Sequence, residues 1–174
     1  MEDETKEEVV IDPWLRTTEK RIEDARIKKE KGTALFKDKD YRGAGQCYIN
    51  ALKDIIPILQ PSDQTEESTI KELKEALFSN LAACQLKLQQ YQRVIENCTK
   101  SLDINAQNVK CLYRRASAYL QCRDRGSARR DIDRIYELEP SNTIVRELET
   151  KLSSLDIKAD ARDAAMMKSF LSSS

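Results

Sequence analysis

Lys110 and Arg114 stand four residues apart, so on a helix their ammonium and guanidinium groups project from one face. Lys29 and Thr33 share that spacing, and Asn80 lies 34 residues before Arg114. Ammonium, guanidinium, hydroxyl and amide groups are all hydrogen-bond donors, and no obvious acceptor lies among the helix neighbours of Lys29, Asn80, Lys110 or Arg114. Gathered in one trough, such groups suit carboxylates, above all the free carboxylate ending a peptide. Phe36 follows Thr33 by three residues and has two readings: a core side chain, or an apolar wall beside a ligand. Taken singly, each cation is an ordinary solubilising surface group. Their linked positions are what argue for a site.

Other chemistry is poorly served. The 174 residues include no histidine, which removes Ser-His and Cys-His nucleophile pairs and histidine-ligated zinc. Gly43-Ala44-Gly45 falls within a helical pattern and forms no phosphate cradle. Cys47, Cys84, Cys98, Cys111 and Cys122 contain no C-x-x-C pair and are odd in number. They are expected to be reduced and to act as small apolar side chains in amphipathic stretches. Carboxylates are plentiful but fall mostly on polar helix faces, so neither catalysis nor a cofactor is expected. Lys plus Arg equals Asp plus Glu at 30 each, which provides no global attraction for nucleic acid or an anionic membrane. No apolar run reaches the roughly 20 residues that span a bilayer. The acidic start, Met1 to Glu8, is unlike a signal or transit peptide, so a cytoplasmic location is expected.

The elements that must position these residues repeat. A shift of 34 places Asn80 on Arg114, Ala82 on Ala116, Gln85 on Tyr119, Val94 on Ala128, Cys98 on Ile132, Ser101 on Ile135 and Ala106 on Pro140. Gly32, Leu35, Ala44, Tyr48 and Ala51 have the same internal spacing earlier in the chain. Small residues recur where the two helices of a hairpin approach closely, and larger ones where hairpins interlock. That is the pattern of units that bury their faces only by stacking.

These positions resemble the tetratricopeptide repeat (TPR), with its small residue, aromatic, Ala, aromatic and closing Pro. The resemblance covers residues 25–140 and implies an all-α fold. Three antiparallel helix-turn-helix hairpins would occupy residues 19–140, stacked in a right-handed superhelix. Residues 1–18 are expected to be an acidic, disordered segment, with Pro13-Trp14-Leu15 either docking on the first helix or marking a linker. Residues 141–174 are expected to form a capping helix and a flexible tail. Ser141-Asn142 would cap that helix at Thr143, and Ser153-Ser154 could interrupt it. Local departures are Gln85 for the usual aromatic and Ala106 for the closing Pro. Sixteen extra residues separate repeats one and two, near residues 57–71. Ile55, Ile56, Ile58 and Leu59 suggest that the first hairpin's second helix is lengthened before the chain loops back. Tyr41, Tyr91 and Tyr119 read as inter-helix packing.

Within that family, Lys29-Glu30-Lys31-Gly32-Thr33, Phe78-Ser79-Asn80-Leu81-Ala82-Ala83 and Lys110-Cys111-Leu112-Tyr113-Arg114-Arg115 resemble the two-carboxylate clamp of chaperone-binding TPR domains. The resemblance implies that Lys29, Asn80, Lys110 and Arg114 hold the terminal carboxylate and an acidic side chain of an EEVD-type tail. Thr33 stands where Asn is more usual and can still donate one hydrogen bond. Large immunophilin cochaperones also tend to carry Thr there, and they share the long first loop and the Leu-Tyr-Arg-Arg run. Their TPR domain, without the isomerase domain that would precede it, is the nearest resemblance. The implied partner is the C-terminal peptide of heat-shock protein 90 or 70, with other client proteins open. The alternative is a TPR scaffold for a different partner, with the clamp vestigial or repurposed.

Overall fold

The computed structural model describes residues 16–172, and among these the chain forms seven α-helices and no strand. They are α1 Thr18–Lys37, α2 Tyr41–Ile55, α3 Gln64–Lys87, α4 Tyr91–Ile104, α5 Val109–Gln121, α6 Arg125–Leu138 and α7 Val145–Ser172. Each helix packs on the next, and the first helices of successive hairpins, α1, α3 and α5, also touch in turn, with α5 touching α7. Three stacked hairpins and a final helix result, as the repeat spacing predicts. The Pro13-Trp14-Leu15 alternatives lie outside the described residues.

The small residues of the repeat sit at the closest approaches. Ala82, Ala116, Ala44 and Ala128 are wholly buried. At Gly32 even a methyl group would meet the Tyr48 ring, at 2.7 Å from Cε1. The core forms two clusters. One joins α1, α2 and α3 around Tyr48, Ile55 and Leu77; the other joins α3 to α7 around Val94, Ile132, Ile135 and Leu148. Tyr41 packs against the first, and Tyr91 and Tyr119 pack against the second.

The turn inside every hairpin is built identically. Lys39, Gln89 and Arg123 adopt φ of 65°, 58° and 61°, and these positions repeat with the hairpins. The following N–H groups of Asp40, Gln90 and Asp124 donate back to the carbonyls of Leu35, Gln85 and Tyr119 at 2.9 Å in each case. This left-handed residue closes the helix end and reverses the chain. In hairpins one and three an aspartate then caps the next helix: Asp40 accepts from Gly43 N–H, and Asp124 from Ser127 N–H.

The polar interior accounts for one of the repeat's departures, Gln85. Gln85, in place of an aromatic, accepts a 2.9 Å hydrogen bond from the Asn97 side chain. One repeat later the equivalent of Asn97 is Asp131, which accepts two bonds from Arg115 at 2.8 and 2.9 Å. Arg115 also donates to Thr99 and is a structural strut, with its pKa raised chiefly by the Asp131 hydrogen bonds.

Three expectations require correction. The first hairpin's second helix is not lengthened: α2 stops at Ile55, before Pro57 and Pro61, and the extension belongs to α3. Asp63 caps α3 by accepting from Glu66 N–H at 2.8 Å, so Thr65-Glu66-Glu67-Ser68 is helical rather than loop. Helix α7 starts at Val145 rather than Thr143, with Asn142 accepting from Ile144 N–H, and it runs unbroken through Ser153-Ser154. Cys84, Cys98 and Cys111 are buried and reduced, as expected of small apolar side chains, and Cys47 is half-buried; Cys122, however, is exposed at the end of α5.

Two substitutions test this account of the stack. Arg123→Gly removes the steric cost of a left-handed non-glycine residue and should raise stability by on the order of 1 kcal/mol. Ala116→Leu forces volume into a closed helix contact and should lower stability by about 1–3 kcal/mol. Chemical denaturation midpoints of both variants against the parent check the two signs.

Candidate functional site

Helices α1, α3 and α5 supply the predicted residues, and their burial follows from the same packing. Gly32, Ala82 and Ala116 turn toward their hairpin partners, and residues two positions earlier on α3 and α5, Asn80 and Arg114, lie about half a turn round and face away from those partners. A groove of about 750 Å³ runs there, and Phe36, Lys110 and Arg114 all line it. Its apolar wall includes Leu86, Tyr113 and Ile144, and Ile144 is 63% exposed.

Lys29 stands apart. It lines a second, smaller depression with Arg26, Thr69, Glu72, Leu73 and Ala76, between α1 and α3. Thr33 and Asn80 are half-buried on the same two helices and line neither cavity. The structure therefore joins three of the six predicted residues in one groove and sets Lys29 at a neighbouring dip.

Their hydrogen bonding also differs from the expectation of unengaged donors. Arg114 Nη1 donates to Ser79 O at 3.1 Å and to Ser79 Oγ at 2.8 Å, so a half-buried guanidinium is fixed across α3 and α5. Its charge reaches the core beneath and opposes the effect of burial on Cys84, whose thiol desolvation lifts to about 11. Thr33 Oγ1 donates to Lys29 O at 2.9 Å and lies 3.3 Å from the Tyr48 hydroxyl. Its hydroxyl is thus engaged with its own helix and with Tyr48. By contrast Lys110 is exposed, and neither its ammonium nor the Asn80 amide has a partner among the described residues. Phe36 meets Tyr41 edge-on, with ring centroids 5.2 Å apart, so it serves the core and the groove wall together.

The sequence reading missed Lys87, Tyr113, Glu139, Asn142 and Ile144 of the groove lining. Ser79 was also missed as the anchor of Arg114. The signal available was register alone: Ser79 adjoins Asn80 on the face that meets α5.

Stacked helical hairpins with a left-handed turn in each agree with the relatives that give the family. The chain is a tetratricopeptide-repeat domain. It is 37% identical over 129 residues to the peptidyl-prolyl cis-trans isomerase FKBP4 of Bos taurus, a match covering 74% of this chain and 28% of that protein. The domain thus spans little more than a quarter of the length of this curated relative. It is 38% identical over 93 residues to the Hsp70/Hsp90 co-chaperone CNS1 of Saccharomyces cerevisiae, covering 53% of this chain and 21% of that protein. Among solved structures it resembles the C-terminal TPR-containing domain of a Plasmodium falciparum putative FK506-binding protein. The TM-score is 0.80 at 26% identity, covering 86% of this chain and 99% of that one. No protein-family model matches the chain. No described helix is long and apolar enough to cross a membrane.

The two groove cations on α5 of the TPR domain should respond differently to truncation. Arg114→Ala removes two hydrogen bonds from a half-buried cation and should lower stability by about 1–2 kcal/mol. Lys110→Ala removes an exposed, unpaired group and should change stability by less than about 0.5 kcal/mol. Thermal and denaturant melts of the two variants measure the contrast.

Proposed function

We propose that this TPR domain is a cochaperone adaptor that binds the acidic, EEVD-type C-terminal tail of heat-shock protein 90 or 70. The observation that carries the reading is the composition of the groove: its lining has three cations, Lys87, Lys110 and Arg114, against one carboxylate, beside an apolar wall. Arg114, fixed by Ser79, presents a preorganised cation, while Lys110 offers a mobile ammonium with its donors unused. Charge-assisted hydrogen bonds from these groups to carboxylates contribute about 1.5–3 kcal/mol each, and the wall takes a neighbouring apolar side chain. Ordering an extended tail offsets part of this, leaving micromolar affinity, near −8 kcal/mol, as the expected scale. Likeness to the yeast Hsp70/Hsp90 co-chaperone supports the partner class. Asn80, unpartnered on α3, completes the donor set, with Lys29 joining from the adjoining depression when a ligand bridges α1 and α3.

No catalytic role is proposed for the domain, and the isomerase activity named for its immunophilin relative is not assigned to it. A second reading rests on Thr33 and Lys29. The Thr33 hydroxyl is already engaged, and Lys29 lines a separate cavity, which would leave a scaffold that recognises an internal segment of some other protein.

Calorimetric titration with EEVD peptides bearing a free or an amidated C-terminus separates the two. The clamp requires amidation to weaken binding at least tenfold, and Lys110→Ala to weaken the free acid roughly 10- to 100-fold, the effect of one lost charge-assisted bond. Equal affinity for the two peptides would leave the scaffold reading standing instead.

A further inference from the structure

The groove is not cationic throughout. Along the helices in chain order, its charges run from Lys87 on α3 to Lys110 and Arg114 on α5, and then to Glu139 in the segment leading to α7. Glu139 is the one carboxylate in that lining. It is also in an electrostatically unfavourable place. It forms the C-cap of α6, whose last turn carries no basic residue, so the negative end of the helix dipole adds to its own charge. No described cation pairs with it. Its carboxylate is nevertheless oriented: Oε2 accepts from Asn142 Nδ2 at 2.7 Å, and Asn142 Oδ1 in turn accepts from Ile144 N–H at 3.0 Å. An exposed carboxylate is thus held at the groove's far rim with its other oxygen unused, and the fold gains nothing evident from the charge.

We propose that Glu139 is a specificity-determining residue that reads a basic side chain on the ligand, upstream of the acidic terminus. The proposal rests on the reading of the groove as a site for an acidic C-terminal tail. It adds a direction and a sequence preference within that class. The carboxylates sit over α5 and α3, an apolar side chain lies on Ile144 and Tyr113, and the chain leaves past Glu139. Neighbouring helices are about 10 Å apart and an extended chain advances about 3.3 Å per residue, so a basic residue about four to six positions before the terminal carboxylate, upstream of the acids, comes within reach of Glu139. A ligand with an acidic residue there would set like charges together at a helix end that already repels anions. Asn142 is the positioning residue of this arrangement, since it holds both the Glu139 carboxylate and the start of α7.

The test uses the heptapeptide SRMEEVD and the same peptide with its arginine replaced by glutamate, titrated by fluorescence anisotropy into the intact chain. The wild-type protein should prefer the arginine peptide about two- to five-fold, the range of an exposed ion pair, and the preference should fade in about 1 M salt. Glu139→Gln should erase the preference and Glu139→Lys should invert it. Glu137→Lys is the control, because Glu137 lies outside the groove lining and pairs with Arg134 on the surface of α6. It should leave the preference intact. Equal binding of the two peptides by wild type, or an equal response to Glu137→Lys and Glu139→Lys, overturns the proposal while leaving the clamp in place. Failure of SRMEEVD to bind the wild-type chain at all overturns the clamp reading and this inference with it.

Discussion

No hairpin of this chain can bury both sides of its own helices. The contact that resolves this is the close packing at Gly32, Ala82 and Ala116, where the Tyr48 ring leaves no room for a methyl group on Gly32 and both alanines are wholly buried. Close approach lets Tyr48 lie across Gly32, and it lets Ile132 and Ile135 fill the space under α5. Helix α3 then serves two cores at once: Leu81 and Cys84 belong to the first cluster and Ala82 to the second. A helix that shares its faces between two cores cannot rotate to suit one of them. The opposite face, which bears Asn80 and the carbonyl that anchors Arg114, is fixed as a consequence. The groove is therefore a product of packing on the far side of the same helices.

Polar groups inside such a stack must find partners, because an unsatisfied buried donor costs about 1–3 kcal/mol. At one repeat position the second and third hairpins bury Asn97 and Asp131, and each is met by a different residue of the preceding helix, Gln85 or Arg115. The pairs differ in chemistry but perform one task, joining the two helices of a hairpin. In the first hairpin that task passes to its open end, where Asp54 of α2 pairs with Lys28 of α1 and, at 3.5 Å, with Arg16. No buried side-chain nitrogen or oxygen among the described residues is left without a partner. The Gln85 departure thus comes with a partner of its own, Asn97.

Much of this was legible in sequence because the period is long and the small residues are few. The spacing of Gly32, Ala82 and Ala116 set the hairpin register, and the register alone placed Lys110 and Arg114 on one face. What escaped were contacts between hairpins and choices made within one turn. Ser79 and Arg114 are 35 residues apart, and nothing local announces that a serine carbonyl will accept from a guanidinium. Thr33 could donate outward or to its own helix, and the i−4 carbonyl won because it is always within reach. The lengthening expected of α2 belongs to α3 for a similar reason. Ile55, Ile56, Ile58 and Leu59 look helical by hydropathy, but Pro57 and Pro61 stop α2, and the cap at Asp63 starts α3 early.

The chain carries equal numbers of acids and bases, so whatever it attracts must be drawn by arrangement. Much of the charge is spent on neighbours: Arg115 on Asp131, Lys28 on Asp54, Arg125 and Arg129 on Asp156. Lys87, Lys110 and Arg114 remain without an ion pair on the groove, and the two on α5 are unlike. Arg114 is rigid, because two hydrogen bonds to Ser79 were made when the fold formed, and a ligand that meets it need not order that side chain again. Lys110 is flexible and loses side-chain freedom on binding, but it can follow a carboxylate whose position varies with the ligand's sequence. A fixed guanidinium beside an adaptable ammonium tolerates different residues just upstream while still demanding acids at the end. Discrimination among acidic tails then has to come from elsewhere in the groove, where the apolar wall and the Glu139 rim stand beyond the reach of either cation's own contacts.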